Sequence, residues 1–294
     1  MAVKPISCVG IVGAGIMGRG IAQVFIQSGW QVILSDPISK QLTSAIQQIK
    51  KGLIREVEKS RLNSGQKDII LKNIRAVTSL LPLADADLVI EAVNEKLDLK
   101  LEIFSQIGKI CGKKTIFASN TSSISITQLG AAAGFPGRSV GMHFMNPVPL
   151  MPLVEIVRGL KTSKKTLSVI CEVVKSLNKT PITINDSPGF VSNRVLIPMI
   201  NEAIFCVYER VGSPEEVDSI VRLGMKHPLG PLALADLIGL DVCLDIMETL
   251  HSDFKDSKYR PCPLLQKMVL GGFLGRKSGQ GFYVYNSSRD PKKR

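Results

Sequence analysis

The chain has 294 residues, of which 45% are hydrophobic, and its formal net charge is +12. This length is sufficient for one large domain or two ordinary ones with a substantial core, and no apolar run reaches the roughly 20 residues of a membrane-spanning helix. The six cysteines form no CxxC pair and do not cluster with the three histidines, so we expect no zinc site, no disulfide framework and a reducing compartment.

Up to Asp186, short β-branched runs alternate with longer amphipathic segments. The strand candidates are ISCVGIV, QVILSD, DLVIEAV, TIFAS and SVGMHF. This alternation predicts βαβ units around a parallel sheet. Residues 39–72 are charged, follow the helical period and are interrupted near Asn63-Ser64-Gly65, so we predict a helical hairpin inserted in the sheet domain.

After Asp186 the pattern changes to one of helices alone. Three segments carry helical periodicity and begin at or near Ser-Pro or Gly-Pro: SPGFVSNRVLIPMINEAIFCVYERV, SPEEVDSIVRLGM and GPLALADLIGLDVCLDIMETLHSDF. We therefore predict an α/β protein with two domains. Residues 1–186 form a Rossmann-type doubly wound sheet that includes the hairpin, and residues 187–294 form an all-α domain.

The stretch GAGIMG follows the first predicted strand and has GxGxxG spacing at Gly13, Gly15 and Gly18, with Asp36 at the end of the second strand. Such glycines permit a tight turn, the approach of a pyrophosphate and close helix packing, and the helix N-terminus favours an anion. Asp36 can accept hydrogen bonds from ribose hydroxyls and would repel a 2′-phosphate, which predicts NAD rather than NADP. The alternative is a capped glycine turn that binds no ligand.

The stretch GMHFMNPVPLMPLVEIV, residues 141–157, places His143 and Glu155 among apolar residues. The prolines between them exclude a continuous helix and favour two strands side by side. A carboxylate beside an imidazole fixes its tautomer, so the other ring nitrogen can take a proton from a substrate hydroxyl. The pair could instead be structural, but hydride transfer from a secondary alcohol to NAD requires such a base.

Two further stretches supply polar groups that could hold a substrate. ASNTSS, which contains Ser122, follows a predicted strand, where α/β proteins place ligand-binding loops. These residues could also simply cap the next helix. Asn193 in SPGFVSNRV falls in the first turn of a predicted helix at the domain boundary, where clefts form, or it could be a surface amide.

Six motifs together resemble the 3-hydroxyacyl-CoA dehydrogenase family, including its 3-hydroxybutyryl-CoA dehydrogenases. In chain order they are GAGIMGRGIAQ, ASNTSS, GMHFMNPVPLMPLVEIV, DSPGFVSNRVLIPMINEA, HPLGPLALADLIGLDVCL and GRKSGQGFYVY. The resemblance covers nearly the whole chain, from about Ser7 to Tyr285. It implies a homodimer that reversibly oxidises an L-3-hydroxyacyl-CoA to the 3-ketoacyl-CoA with NAD, in fatty-acid β-oxidation or butyrate-type metabolism.

The same resemblance assigns roles to individual residues. It implies that His143 is the catalytic base, that Glu155 is its carboxylate partner, and that Ser122 and Asn193 hydrogen-bond the reacting end of the substrate. It implies a helical domain that binds substrate and dimerises, and a hairpin that helps to bind CoA, with Lys59 and Arg61 as candidates for its phosphates. The implied cofactor-binding residues are Gly13, Gly15, Ile16, Met17, Gly18, Asp36, Glu95, Lys100, Ser122, Asn146 and Lys277.

Other functions are consistent with parts of this pattern. A related dehydrogenase of a non-CoA hydroxy acid or sugar acid would share the fold and the His/Glu pair, and a non-catalytic NAD-binding structural protein would share the fold. The charge of +12 alone is consistent with nucleic-acid binding, but the basic residues are dispersed and the densest cluster is RDPKKR at 289–294. We expect neither nucleic acid nor membrane as a partner. We expect a cytoplasmic protein, with an organelle matrix as the alternative.

Overall fold

A computed structural model describes residues 6–285 of the chain, and the RDPKKR cluster lies outside that range. The chain divides into two compact units, Met1–Ser187 and Pro188–Arg294. Among residues 6–285, none of the helices combines the length and the apolar character needed to cross a bilayer. The same residues contain no group of three or more His, Cys, Asp or Glu side chains that could hold a metal ion.

The first unit is built on one eight-stranded sheet with the order β3-β2-β1-β4-β5-β6-β7-β8. The strands are β1 (Cys8–Val12), β2 (Gln31–Ser35), β3 (Ile74–Val77), β4 (Leu88–Glu91), β5 (Ile116–Ser119), β6 (Ser139–Phe144), β7 (Leu153–Arg158) and β8 (Thr180–Asn185). The helices are α1 (Ile16–Gln27), α2 (Ser39–Glu58), α3 (Ser64–Leu71), α4 (Leu97–Ile110), α5 (Ile126–Ala132) and α6 (Lys164–Ser176). All neighbouring strands are parallel except β6 and β7, which are antiparallel.

The central strands are covered by helices on both faces. Every residue of β4, β5 and β6 is buried, which explains why these strands read as continuous apolar runs rather than as alternating ones. The core includes Ile11 of β1, Phe25 of α1, Leu34 of β2, Ile90 of β4 and Ala118 of β5. The predicted Rossmann-type doubly wound fold is confirmed.

The hairpin consists of α2 and α3, as predicted. Asn63 begins α3 with a capping box, because its Oδ1 accepts a hydrogen bond from Gln66 N and its own N–H donates to Gln66 Oε1, both at 2.8 Å. Two edge strands, β3 and β8, were not predicted. All of their residues are exposed or only partly buried, so neither forms an apolar run that stands out in the sequence.

The second unit is helical. Its helices are α7 (Ser192–Tyr208), α8 (Pro214–Gly224), α9 (Pro231–Ile238), α10 (Leu240–Phe254) and α11 (Pro263–Leu270). They enclose a separate core that includes Ile200, Ile204, Leu232, Met247 and Leu265. The long apolar segment after Gly230 forms two helices rather than one, because Gly239 between them has a φ of +107° that ends α9.

The GRKSGQGFYVY motif is held against α9 by hydrogen bonds to the buried carboxylate of Asp236. Asp236 accepts hydrogen bonds from the backbone N–H groups of Phe282 and Tyr283 and from the hydroxyl of Tyr285, each at 3.0 Å. Gly281 has no room for a side chain, since an added Cβ would clash with the carboxylate of Asp236. These contacts therefore hold the last described segment of the chain against α9.

Candidate active site

The glycine turn between β1 and α1 leaves open space in front of its second glycine. Gly13 has a φ of +100°, and a Cβ there would lie 2.7 Å from Ala92 O. A Cβ on Gly18 would clash with Gly13 O, whereas a Cβ on Gly15 would meet no atom within 4 Å. Two of the glycines are therefore required by packing, and the third faces an opening through which a ligand can reach the backbone.

The N-terminus of α1 points at this opening. Gly15 is the N-cap and provides no side-chain hydrogen bond, and the first turn, which starts with Ile16 and Met17, contains no acidic residue. The first N–H groups of a helix lack partners within the helix and carry partial positive charge, so this end suits an anionic group such as a pyrophosphate.

Asp36 connects the end of β2 to the glycine turn. Its Oδ2 accepts a hydrogen bond from Ala14 N, and its Oδ1 accepts one from Ile38 N, both at 2.9 Å. Each carboxylate oxygen can accept a further bond, so these contacts orient the group and leave it able to bind ribose hydroxyls. The negative charge next to the turn disfavours a 2′-phosphate, as predicted for an NAD site.

His143 and Glu155 face each other on adjacent strands. The antiparallel register of β6 and β7 pairs them directly, and His143 Nδ1 lies 2.7 Å from Glu155 Oε2. His143 is only 8% exposed and Glu155 only 3% exposed. The pair is thus a short hydrogen bond between an imidazole and a carboxylate, both of which are buried, near the end of β6.

The serine-rich loop after β5 is organised around Glu95. Glu95 Oε1 accepts hydrogen bonds from Thr121 Oγ1 at 2.5 Å, Ser122 N at 2.7 Å and Ser123 N at 3.2 Å. Burial alone would raise the pKa of Glu95, but the Lys100 ammonium and the bonds from Thr121 and Ser122 outweigh it and lower the pKa. Glu95 is therefore a charged acceptor that fixes the position of Ser122.

A hydrogen bond connects this loop to the strand that carries the histidine. Asn120 Oδ1 accepts from the backbone N–H of Phe144 at 3.0 Å, and β5 and β6 are neighbours in the sheet. Phe144 directly follows His143. The loop that contains Ser122 and the strand that contains His143 consequently end side by side.

Beneath these loops lies a buried ion pair. Lys100 Nζ is 2.6 Å from Glu91 Oε1 and 3.1 Å from Glu95 Oε2, and the side chains of Glu91 and Lys100 are 0% and 1% exposed. The second oxygen of Glu91 accepts from Ser119 Oγ at 2.6 Å, and its first also accepts from Val93 N at 2.7 Å. Lys100 thus links Glu91, the last residue of β4, to Glu95. Glu91 also links the end of β4 to Ser119 at the end of β5.

Sequence reasoning missed Glu91. The only available signal was an acidic residue at the end of the otherwise apolar run LVIE. Because the carboxyl ends of parallel strands line binding sites, that position is informative even without a recognised motif. Its partner Lys100 was identified from the family resemblance, without any indication that it would be buried.

The first unit brings most of the candidate residues to one side of its sheet. We call this side, where β1, β2, β4, β5 and β6 end, the carboxyl edge. It includes the point between β1 and β4 from which the strand order proceeds in opposite directions, the usual place for a nucleotide in such folds. The predicted residues at this edge are Gly13, Gly15, Ile16, Met17, Gly18, Asp36, Glu95, Lys100, Ser122, His143, Asn146 and Glu155, and the structure adds Glu91.

The remaining candidates lie elsewhere in the chain. Lys59 and Arg61 are exposed at the end of α2 in the hairpin, and Arg61 pairs with Glu56 at 3.3 Å. Asn193 lies in the first turn of α7, and Lys277 donates a 2.5 Å hydrogen bond to Asp241 Oδ2. Asn193 and Lys277 belong to the second unit.

Two family models together match most of the chain, one for each unit. Residues 8–187 match the model described as 3-hydroxyacyl-CoA dehydrogenase, NAD binding domain. Residues 189–285 match the model described as 3-hydroxyacyl-CoA dehydrogenase, C-terminal domain.

Individual relatives are similar over almost their full length. A probable 3-hydroxybutyryl-CoA dehydrogenase of Deinococcus radiodurans is 53% identical over 276 residues, which cover 94% of this chain and 99% of the relative. A 3-hydroxybutyryl-CoA dehydrogenase of Bradyrhizobium diazoefficiens is 48% identical over 96% of each chain. The crystal structure of (S)-3-hydroxybutyryl-CoA dehydrogenase from Ralstonia eutropha superimposes with a TM-score of 0.93 at 48% identity, covering 96% of this chain and 100% of that one.

The buried ion pair leads to a stability prediction. Lys100→Met leaves the charge of Glu91 buried without its ammonium, so we expect the free energy of unfolding of the first unit to fall by about 3–5 kcal/mol. Glu91→Gln should cost less, because Lys100 keeps Glu95 as a partner. The double variant should be more stable than Lys100→Met. Urea titrations followed by the fluorescence of Trp30, the single tryptophan and a residue of the first unit, measure these effects.

Lys109→Met is the matched control, since Lys109 is an exposed lysine on the same helix, α4. It should change the free energy of unfolding by no more than about 0.5 kcal/mol. A Lys100→Met protein with the same urea midpoint as this control would contradict the structural role of the pair.

Proposed function

The chain belongs to the 3-hydroxyacyl-CoA dehydrogenase family, and we propose that it oxidises short-chain L-3-hydroxyacyl-CoA substrates such as 3-hydroxybutyryl-CoA, reversibly and with NAD. The family models confirm the family, the enzyme class and the cofactor that the sequence predicted. The observation that carries the proposed chemistry is the buried hydrogen bond between His143 and Glu155, at the same edge of the sheet as the glycine turn.

The residues of the first unit fit NAD. The opening in front of Gly15 admits a pyrophosphate to the N-terminus of α1, and Asp36 presents a carboxylate at the end of β2 for a ribose. We propose that Ile16, Met17, Glu95, Lys100 and Asn146 complete the cofactor-binding surface of this unit, and that Lys277 of the second unit also contacts the cofactor. When bound, NAD supplies the nicotinamide that accepts a hydride from C3 of the substrate.

We propose that His143 is the base that takes the C3 hydroxyl proton. Its Nδ1–H donates to Glu155 Oε2, which leaves Nε2 as the proton acceptor of the neutral imidazole. As the C–H electrons leave C3 as hydride, the O–H electrons form the carbonyl double bond and the proton moves to Nε2. Glu155 stabilises the resulting imidazolium, and the burial of both side chains strengthens that interaction. In the reductive direction, the imidazolium returns the proton to the carbonyl oxygen.

Ser122 and Asn193 are proposed to hydrogen-bond the reacting oxygen of the substrate. Support for Ser122 comes from its fixed position, because its backbone N–H and hydroxyl both donate to Glu95 Oε1. Support for Asn193 comes from the resemblance of SPGFVSNRV to the family motif.

For the CoA phosphates we propose the exposed Lys59 and Arg61 of the hairpin, and the charge of +12 favours such a polyanionic substrate.

We propose a homodimer formed through the second unit, and a location in the reducing cytoplasm. Large apolar side chains on a surface are commonly covered by a second subunit. The second unit exposes more than half of the surface of Val191, Val195, Val211, Ile220, Leu223, Met225, Leu237, Leu270 and Val284.

The proposed location in the reducing cytoplasm is supported by the cysteines. All six are free thiols, which fits a reducing compartment.

A substrate panel tests the proposed activity. We expect NADH oxidation with acetoacetyl-CoA at a kcat/KM at least about ten-fold above that for 3-ketoacyl-CoAs with long chains, and no turnover of free hydroxy acids or sugar acids with NAD. The preference follows from the names of the 48–53% identical relatives, all of which specify the hydroxybutyryl group. Turnover of a free hydroxy acid with none of acetoacetyl-CoA would overturn the proposal, and no turnover of either would indicate a non-catalytic NAD-binding protein.

His143→Gln tests the proposed base. Because general base catalysis typically contributes 10²- to 10⁴-fold, we expect kcat to fall by at least about 10²-fold while the affinity for NADH, measured by its fluorescence, stays unchanged. His251→Gln is the control, since His251 is exposed in the last turn of α10 and should leave kcat unaffected. A near-normal kcat for His143→Gln would show that another group takes the proton.

Light scattering during size-exclusion chromatography tests the dimer. We expect twice the mass of the chain at micromolar concentration, because the exposed apolar side chains of the second unit are then covered. A mass equal to that of one chain under these conditions would contradict the proposed dimer and leave the proposed activity untouched.

A further inference from the structure

The segment between the two catalytic strands, residues 145–152, is held from two sides. We call it the proline loop, because it contains Pro147, Pro149 and Pro152. It begins two residues after His143 and ends three residues before Glu155. Any displacement of this loop therefore acts directly on both members of the buried pair.

From one side, the loop is held by a buried lysine. Lys179 is only 8% exposed, and its Nζ donates hydrogen bonds to Val148 O and to Met151 O, both at 2.6 Å. Burial lowers the pKa of Lys179. Among the described residues, its hydrogen-bond partners are these two carbonyls rather than a carboxylate. Burying an ammonium costs free energy unless hydrogen bonds replace its hydration. Because both hydrogen bonds of Lys179 go to carbonyls of the proline loop, this side chain fixes the position of the loop.

From the other side, the loop packs against the dinucleotide-binding helix. Val148 is 2% exposed, and a Cβ added to Gly20 of α1 would lie 3.0 Å from Val148 Cβ and 3.1 Å from Val148 Cγ2. Gly20 follows Gly18 of the glycine turn by two residues. Glycine within a helix is unfavourable relative to alanine, so the close approach of the loop gives a reason for its presence.

We propose that Lys179 and Gly20 are positioning residues that clamp Val148 and thereby set the distance between the dinucleotide helix and His143. Lys179 holds the backbone of Val148, and Gly20 lets its side chain reach α1. This inference rests on the proposed dehydrogenase function, in which hydride and proton leave adjacent atoms of one substrate. A displacement of about 1 Å at such a site can reduce turnover about 10²-fold.

Lys179→Met keeps the length of the side chain and removes its donors. We expect kcat with acetoacetyl-CoA to fall at least about ten-fold while KM for NADH changes less than about three-fold, because the turn that binds the cofactor stays intact. In the protein without cofactor, we expect faster amide hydrogen exchange in residues 145–151, where the N–H groups of Leu150 and Met151 both donate to Pro147 O.

Arg138→Met is the matched control. Arg138 is also a cation that donates to two backbone carbonyls, those of Gly112 at 3.2 Å and Thr115 at 2.8 Å, but at the opposite side of the sheet, where β5 and β6 begin. It should lower the melting temperature without changing kcat or exchange in residues 145–151. Equal losses of kcat in both variants would overturn the proposal, because they would show a general effect of stability.

Gly20→Ala is a second, independent test of the clamp on Val148. It also tests the clamp if Lys179→Met does not fold. The added methyl group pushes on Val148, whereas alanine favours the helix, so we expect a lower kcat without a lower melting temperature. Unchanged kcat in Gly20→Ala, with unchanged exchange in residues 145–151, would refute the clamp. Wild-type turnover of acetoacetyl-CoA is measured alongside, and its absence would refute the proposed function instead.

Discussion

The site depends on one register, the antiparallel pairing of β6 and β7 that sets His143 opposite Glu155. Since side chains alternate between the faces of a sheet, a slip of one residue would send one member of the pair to the other face. The register is supported from both directions. β5 fixes β6 through parallel pairing and the Asn120–Phe144 hydrogen bond, and β8 fixes β7 through pairing that begins at Leu153 and Thr180.

Burial makes this arrangement both demanding and chemically useful. At low exposure a charge needs hydrogen-bonding partners, and the carboxyl edge supplies them in a connected set. Glu91 pairs with Lys100, Lys100 also contacts Glu95, and Glu95 accepts hydrogen bonds from the loop that contains Ser122. The loops that would contact substrate and cofactor are thus held by rigid strands through a buried ionic network, which positions the polar groups before any ligand binds.

The sequence predicted the parts of this site that depend on local patterns. The glycine turn, Asp36 and the His143–Glu155 hairpin are recognisable because strand, turn and proline signals lie within a few residues of each other. Contacts between distant residues were missed. Lys179 reads as an ordinary polar residue after a helix, yet its partners Val148 and Met151 lie 31 and 28 residues earlier. Edge strands β3 and β8 were missed because their exposed faces carry no apolar run.

We infer that Glu155 holds His143 as the Nδ1–H tautomer, so that Nε2 acts as the base. The chain has three histidines, so nitrogen-15 NMR of protein labelled in its imidazole rings gives few signals, and His143→Gln assigns the relevant pair. At alkaline pH, where an imidazole keeps one proton, we expect Nδ1 of His143 to be protonated and Nε2 to carry no proton. A proton on Nε2 with bare Nδ1 would contradict it.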